Sequence, residues 1–322
     1  TGGGCPHILA EPQRTNEITY SEDFTSWPQI QNITLTPNST TSPSGESDGT
    51  TFLGTSGASK ARINFSAVSG TTYTLSVYCK NIDATLIKLL GWDGVNTFNY
   101  DATSEVNTST WTRISLTFTA ANTATGQIQI ARDLPNGESV YFWGAQLEEG
   151  SYATSYIPNF GTALGVTRNQ DIFTRDGIGS LINSTEGVLF VEMAALSDDS
   201  TNRMLSLYGS GNDKLTLFYK TASNSMTVQG FVGGGLQINR TIVLTDITEF
   251  SKIAIRYKTN DFAWYVDGIK ITDDTSTNTW SANTLNKLSF DDGAGGNPLF
   301  AKVKQLQVYD TALTDVQLAA LT

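Results

Sequence analysis

The sequence predicts an all-β chain folded as two β-sandwiches (jelly rolls) in series, with one short helix at the C-terminal end. Three observations predict it. Thr, Ser and Asn are abundant, and 29 Gly stand against only 8 Pro, a mixture that suits pleated strands joined by many short turns. Runs that alternate apolar and polar residues recur at the spacing of a sandwich or barrel. Glu, Lys and Ala, which would fill a helical protein, do not dominate. At 322 residues the chain is long enough for two cores of ordinary size.

In the first half the alternating runs are 61–68, 72–80, 85–92, 111–120, 126–132 and 139–147. The polar stretch 36–51, with Ser42-Pro43-Ser44-Gly45, reads as a surface loop. Across 151–168 the alternation lapses, and Pro158 and Gly161 interrupt any regular element. The boundary is placed there, dividing the chain into 1–160 and 161–322. Tyr152, Tyr156, Ile157 and Phe160 make this connection apolar, so it is expected to dock against a domain. The second half resumes with 187–196, 203–208, 214–220, 225–232, 240–244, 252–257, 262–266, 269–272, 286–290 and 299–309. Asp267-Gly268 between two of these runs is a two-residue hairpin signal. Thr314 and Gln317 form a capping box, with Leu313 and Leu318 at hydrophobic-staple positions. A helix this short holds only when docked on a sheet.

Charge narrows the function. The net charge is −11 and no Lys/Arg run occurs, so nucleic acid and anionic membrane surfaces, which need a positive field, are not expected partners. No apolar run reaches membrane-spanning length. The opening Thr1-Gly2-Gly3-Gly4-Cys5-Pro6 reads as the interior of a longer protein, so an upstream segment is expected. Cys79 alternates with Tyr73, Leu75 and Val77 and reads as a small core residue, with a Cys5–Cys79 bridge as the alternative. His7 is the only histidine, which leaves thiol, Ser-His-Asp and zinc chemistry short of partners. Gly233-Gly234-Gly235 is followed by neither Lys-Ser/Thr nor a helix, so it is no phosphate loop.

Certain stretches resemble a module common in bacteriophage virion proteins. They are Cys5-Pro6, Glu11-Pro12-Gln13-Arg14-Thr15-Asn16, Tyr20-Ser21-Glu22-Asp23-Phe24 with Trp27, and Thr72 to Lys80. Trp143-Gly144-Ala145-Gln146-Leu147-Glu148-Glu149-Gly150 and Ala153-Thr154-Ser155-Tyr156-Ile157-Pro158 close the match. That module is similar to a carbohydrate-binding-module jelly roll. The second half, with Trp264-Tyr265-Val266-Asp267-Gly268 and Leu313 to Leu318, is similar to concanavalin A-like and laminin-G-like domains. The resemblance implies a glycan ligand and calcium. It also implies display at the virion surface beside other virion proteins, as a homo-oligomer, with trimers usual for fibres.

Sugar sites stack an exposed aromatic ring on sugar C–H groups while polar neighbours bind hydroxyls. Of six tryptophans, Trp111, Trp143 and Trp264 read as core and Trp27 as a plug at one end of a sandwich. Trp92 lies in Gly91-Trp92-Asp93-Gly94 with Asn96, Asn99, Tyr100 and Asp101 close behind. Its candidate sugar contacts are Asp93, Asn96 and Tyr100, and the bland alternative is a ring that pins its own turn. Trp280, in the polar stretch 275–283, is the exposed-aromatic candidate of the second half. For calcium, Glu11 near the first strand is paired with Glu148 near the last. Asp273-Asp274 and Asp291-Asp292-Gly293 are loop clusters of hard oxygen ligands, and solvated turn carboxylates are the alternative. Glycosidases on the concanavalin A-like sheet carry a strand of alternating Glu and Asp, which is not found here.

The expectation is a non-catalytic phage structural protein, a fibre or surface appendage that holds polysaccharide or cell-surface glycan weakly and in many copies. No cofactor beyond calcium is expected. The rivals are a purely architectural capsid or tail decoration and a polysaccharide depolymerase.

Overall fold

A computed structural model describes residues 7–322. The all-β architecture is as expected: strands throughout, with Asp315–Leu321 as the one α-helix among the described residues. Cys5 lies outside the described residues. Cys79 is fully buried, and burial pushes its thiol above the usual range.

One compact unit is Gln13–Asn169. Its first sheet runs in the order Thr112–Thr119, Thr72–Asn81, Ser139–Glu149, Gly49–Gly54 and Ile33–Thr40. Its second sheet runs Gln29–Gln31, Lys60–Ala67, Ala124–Ile130, Lys88–Trp92 and Thr97–Asp101. Alternation sends Leu75, Val77, Cys79, Ile114, Leu116 and Phe142 from the first sheet into one core with Phe65, Leu89, Ile128 and Ile130 from the second. Edge-to-face rings extend that core: Phe142 on Phe52 at 5.0 Å and Phe52 on Phe24 at 5.2 Å. Trp27 continues the series as the expected plug, 3% exposed, its indole N–H on the Tyr20 carbonyl at 2.8 Å.

The other unit joins residues 7–12 to Gln170–Thr322. One sheet has the order Ile8–Ala10, Ala301–Tyr309, Glu186–Ala195, Ser251–Lys258, Phe262–Val266 and Ile269–Asp274. The other runs Thr174–Arg175, Lys287–Ser289, Arg203–Ser210, Asp213–Tyr219, Ser225–Val232 and Gly235–Val243. Phe262, Trp264 and Val266 face the inter-sheet core, while Ala263 and Tyr265 face outward under Leu318 of the helix. That second covering explains why Phe262–Val266 is buried at every position. The capping box is formed on both sides, with Gln317 N–H on Thr314 Oγ1 and Thr314 N–H on Gln317 Oε1. Asp267 and Gly268 turn the hairpin with φ of 47° and 80°, the positive pair of a type I′ turn.

The expected division at residue 160 differs from these units at both ends. Ile8–Ala10 pairs with Ala301–Tyr309 and so belongs to the second sandwich. Val166–Arg168 pairs with Arg14–Asn16 and so belongs to the first. Strand pairing between distant segments sets the boundary, which falls between Asn169 and Gln170, just past the lapse in alternation. Within the connection, Ile157 is 4% exposed as expected, but Phe160 is 73% exposed.

Candidate functional site

Alternation along Lys88–Trp92 sends Leu89 to the core, and a Cβ on Gly91 would meet the Phe118 ring at 2.6 Å. Trp92 therefore stands on the outer face, half-buried. Its cross-strand neighbours are Gln127 on one side and Thr97 on the other, and Gln127 is followed by Asn64. The adjacent row is Gln29, Arg62, Gln129, Leu90 and Asn99. Directly paired side chains on one face are about 4.5–5.5 Å apart at Cβ, so the indole ring adjoins Gln127 and shares its face with four further amide side chains and a guanidinium. Arg62 Nη1 donates to Gln127 Oε1 at 3.0 Å, and Gln129 Nε2 reaches the same oxygen at 3.4 Å. Gln129 is 6% exposed, yet its Oε1 has no partner, and neither does the buried Nε of Arg62. A buried polar atom without a partner is costly unless something else satisfies it.

The side chains expected to serve Trp92 do other work. The Asp93 carboxylate is wholly buried. It accepts from the backbone N–H groups of Val95, Asn96 and Ala121 at 3.0, 2.6 and 2.9 Å, and from the amides of Asn96 and Asn122 at 3.0 and 3.2 Å. Burial opposes ionisation there, but these bonds outweigh it and hold the carboxyl well below the usual range. Asn96 is thereby committed to Asp93. Tyr100 points inward and packs with Phe98 against the core. Its hydroxyl donates to Glu105, which pushes its pKa up to about 12. Asp93, Asn96 and Tyr100 thus shape the turn, and the polar side chains that share the face of Trp92 are those of the two amide-bearing rows.

Trp280 is corrected from exposed to core. It is 4% exposed, its indole N–H bonds the Phe231 carbonyl at 2.7 Å, and its ring meets Tyr257 edge-on at 5.7 Å. The polar residues around it line a surface loop whose one large ring turns inward. Trp111 is corrected the other way, from core to half-buried on the outer face of the first sheet. Trp27, Trp143, Trp264 and Trp280 are all at most 5% exposed, so Trp92 and Trp111 are the tryptophans that face solvent.

Of the two carboxylates expected to hold calcium, Glu11 is 4% exposed and follows strand Ile8–Ala10, which pairs in the second sandwich. Glu148 is fully buried in a latch. It accepts from the Thr154 N–H at 3.1 Å and from Gln146, with Arg14 Nε 3.5 Å away. Asn16 completes the latch, donating to Ser21 Oγ and the Ile157 carbonyl, both at 2.8 Å, and accepting from Leu147 N–H at 3.1 Å. The motif residues that carry the family resemblance therefore tie strand Arg14–Asn16 to the end of the sandwich. Asp291 and Asp292 cap their own loop through the N–H groups of Gly293, Ala294 and Gly296. Among the described residues no three His, Cys, Asp or Glu side chains converge as a metal site would require.

Sequence reading missed a cavity of about 720 Å³ in the same unit, lined in part by Asn64, Ser66, Glu17, Thr19 and Glu149. Asn64 also belongs to the Trp92 row. Burial, with Glu149 nearby, raises the Glu17 pKa to about 7. Alternating amides in Gln127-Ile128-Gln129 and the Arg62/Asn64 spacing were the available signal for the face itself.

No family model and no curated protein matches the chain. Among solved structures, it is similar to domain 4 of an extracellular GH43 arabinanase from Geobacillus stearothermophilus, in complex with arabinotriose. That match is at 12% identity and TM-score 0.38, over 51% of this chain and 82% of that one. It is also similar to the Caenorhabditis elegans galectin LEC-6, at 14% identity and TM-score 0.32, over 43% and 91%. A third similarity is to the receptor-binding domain of botulinum neurotoxin type G, at 11% identity and TM-score 0.32, over 42% and 37%.

Proposed function

We propose that the protein is a non-catalytic glycan-binding protein, and that the outer face around Trp92 holds the sugar. One observation carries the reading: a half-buried indole ring is set among Gln127, Asn64, Asn99 and Arg62 on a rigid sheet. The ring offers an apolar face to sugar C–H groups, and amides and a guanidinium supply donors and acceptors for hydroxyls.

One sheet face with a single stacking ring grips its sugar weakly, so retention on a polymer would draw on many copies acting together. The resemblance supports a setting for those copies, a phage fibre or surface appendage assembled as a homo-oligomer at the virion surface.

Glu17 favours a second reading. A carboxyl with a pKa near 7 beside another carboxylate is the kind of pair a glycosidase uses. A screen of the recombinant chain against a panel of bacterial polysaccharides, scoring both retention and new reducing ends, separates the readings. Retention without reducing ends is expected. Reducing ends lost in Glu17→Gln would assign a depolymerase, and no retention on any polysaccharide would leave the architectural role.

A further inference from the structure

We propose that Trp111, Tyr141 and Lys80 form a second binding face, on the opposite sheet of the same sandwich, for sugars that carry a carboxylate. Tyr141 stands directly across from Lys80 on one side and Thr51 on the other. Thr112 pairs with Cys79, so Trp111 comes in beside Lys80 one position further along. The two ring centroids are 6.2 Å apart, inclined at 46°. Lys80 Nζ lies 5.4 Å from the Trp111 centroid and 5.1 Å from the Tyr141 centroid. All three side chains are half-buried. The indole N–H of Trp111 bonds the Thr41 carbonyl at 2.9 Å, which fixes the ring, and Ser39 and Thr51 share a hydroxyl–hydroxyl bond at 2.7 Å nearby.

The charge of Lys80 selects the ligand. Acidic residues outnumber basic ones, 31 against 20, yet no carboxylate of the described residues pairs with Lys80. The rings hold its ammonium by cation–π attraction, which still leaves N–H donors free. A neutral sugar would use the rings and leave the ammonium in water. A uronic-acid unit uses both, its C–H face on a ring and its carboxylate on Nζ as a charge-assisted hydrogen bond. This face shares no residue with the Trp92 face and stands or falls without it.

The test titrates the full chain with galacturonate and glucuronate oligomers and with their carboxyl-reduced, neutral counterparts. At least one acidic oligomer is expected to bind tighter than its neutral counterpart. Lys80→Gln should lower that affinity about tenfold or more, the weight of a hydrogen bond to a charged group, and Lys80→Arg should largely retain it. Tyr141→Ala should weaken acidic and neutral oligomers alike, while Trp92→Ala leaves the acidic preference intact. Equal binding of acidic and neutral oligomers overturns the proposal, as does an unchanged affinity in Lys80→Gln. So does an acidic preference lost in Trp92→Ala but kept in Lys80→Gln.

Discussion

Arg62 and Gln127 are joined across neighbouring strands, Arg62 Nη1 donating to Gln127 Oε1 at 3.0 Å, and Gln127 stands directly opposite Trp92. With Gln129 reaching the same oxygen, the acceptor of Gln127 is already used, which leaves its Nε2 donors to serve a ligand. A preorganised donor next to a stacking surface loses little freedom when a sugar hydroxyl arrives.

Replacing Gln127 with Ala removes that donor and frees Arg62. Glycan affinity should fall by about 1 kcal/mol, the usual weight of one hydrogen bond, with little change in thermal midpoint. Isothermal titration alongside a melting curve checks both.

Asp93 answers to stability instead. Its folded-state pKa is lowered, so its contribution is present above the unfolded value of 3.8 and is lost as pH falls below it. Asp93→Asn should melt several degrees lower at pH 7, and the gap should narrow in acid. Correctly folded variant should bind glycan like the parent; loss of binding without loss of stability would return Asp93 to the site.

Glu17 works in the opposite sense. Its folded pKa of about 7 lies above the unfolded value of 4.5, so the folded state holds a proton between those values that the unfolded chain has released. The resulting stability is whole below pH 4.5, shrinks as pH rises and is gone above about 7. The thermal midpoint should drop between pH 5 and pH 8, and Glu17→Gln should flatten that drop. An identical pH profile in the variant would show that Glu17 is already ionised at pH 5.

Short-range patterns were legible in the sequence. Alternation exposed the strands, Asp267-Gly268 the hairpin, and Thr314 with Gln317 the helix start, because each signal lies within a few residues. Trp27 and Trp264 were also placed correctly, the latter by its alternation with Phe262 and Val266. What was not legible depends on partners far along the chain. Trp92 takes its neighbours from residues 62–64 and 127–129, while Asp93, next to it, is claimed by Ala121 and Asn122. Trp280 sits among polar residues but turns its ring inward, and Trp111 heads an apolar strand but lies outside it. Local polarity therefore misled in both cases. Strand Ile8–Ala10 crosses to the other sandwich, a pairing that nothing near it in the sequence announces.

The most direct measurement is polysaccharide retention and thermal stability of Trp92→Ala, with Trp280→Ala as the buried control. Trp92→Ala is expected to weaken retention by about 1–3 kcal/mol, the range for a well-packed aromatic contact, while costing at most about 1–2 kcal/mol of stability. Trp280→Ala should do the reverse, costing about 3–5 kcal/mol of stability and leaving the retention of its folded fraction unchanged. A Trp92→Ala protein that is strongly destabilised yet still holds polysaccharide as the parent does would contradict the sugar site on this face.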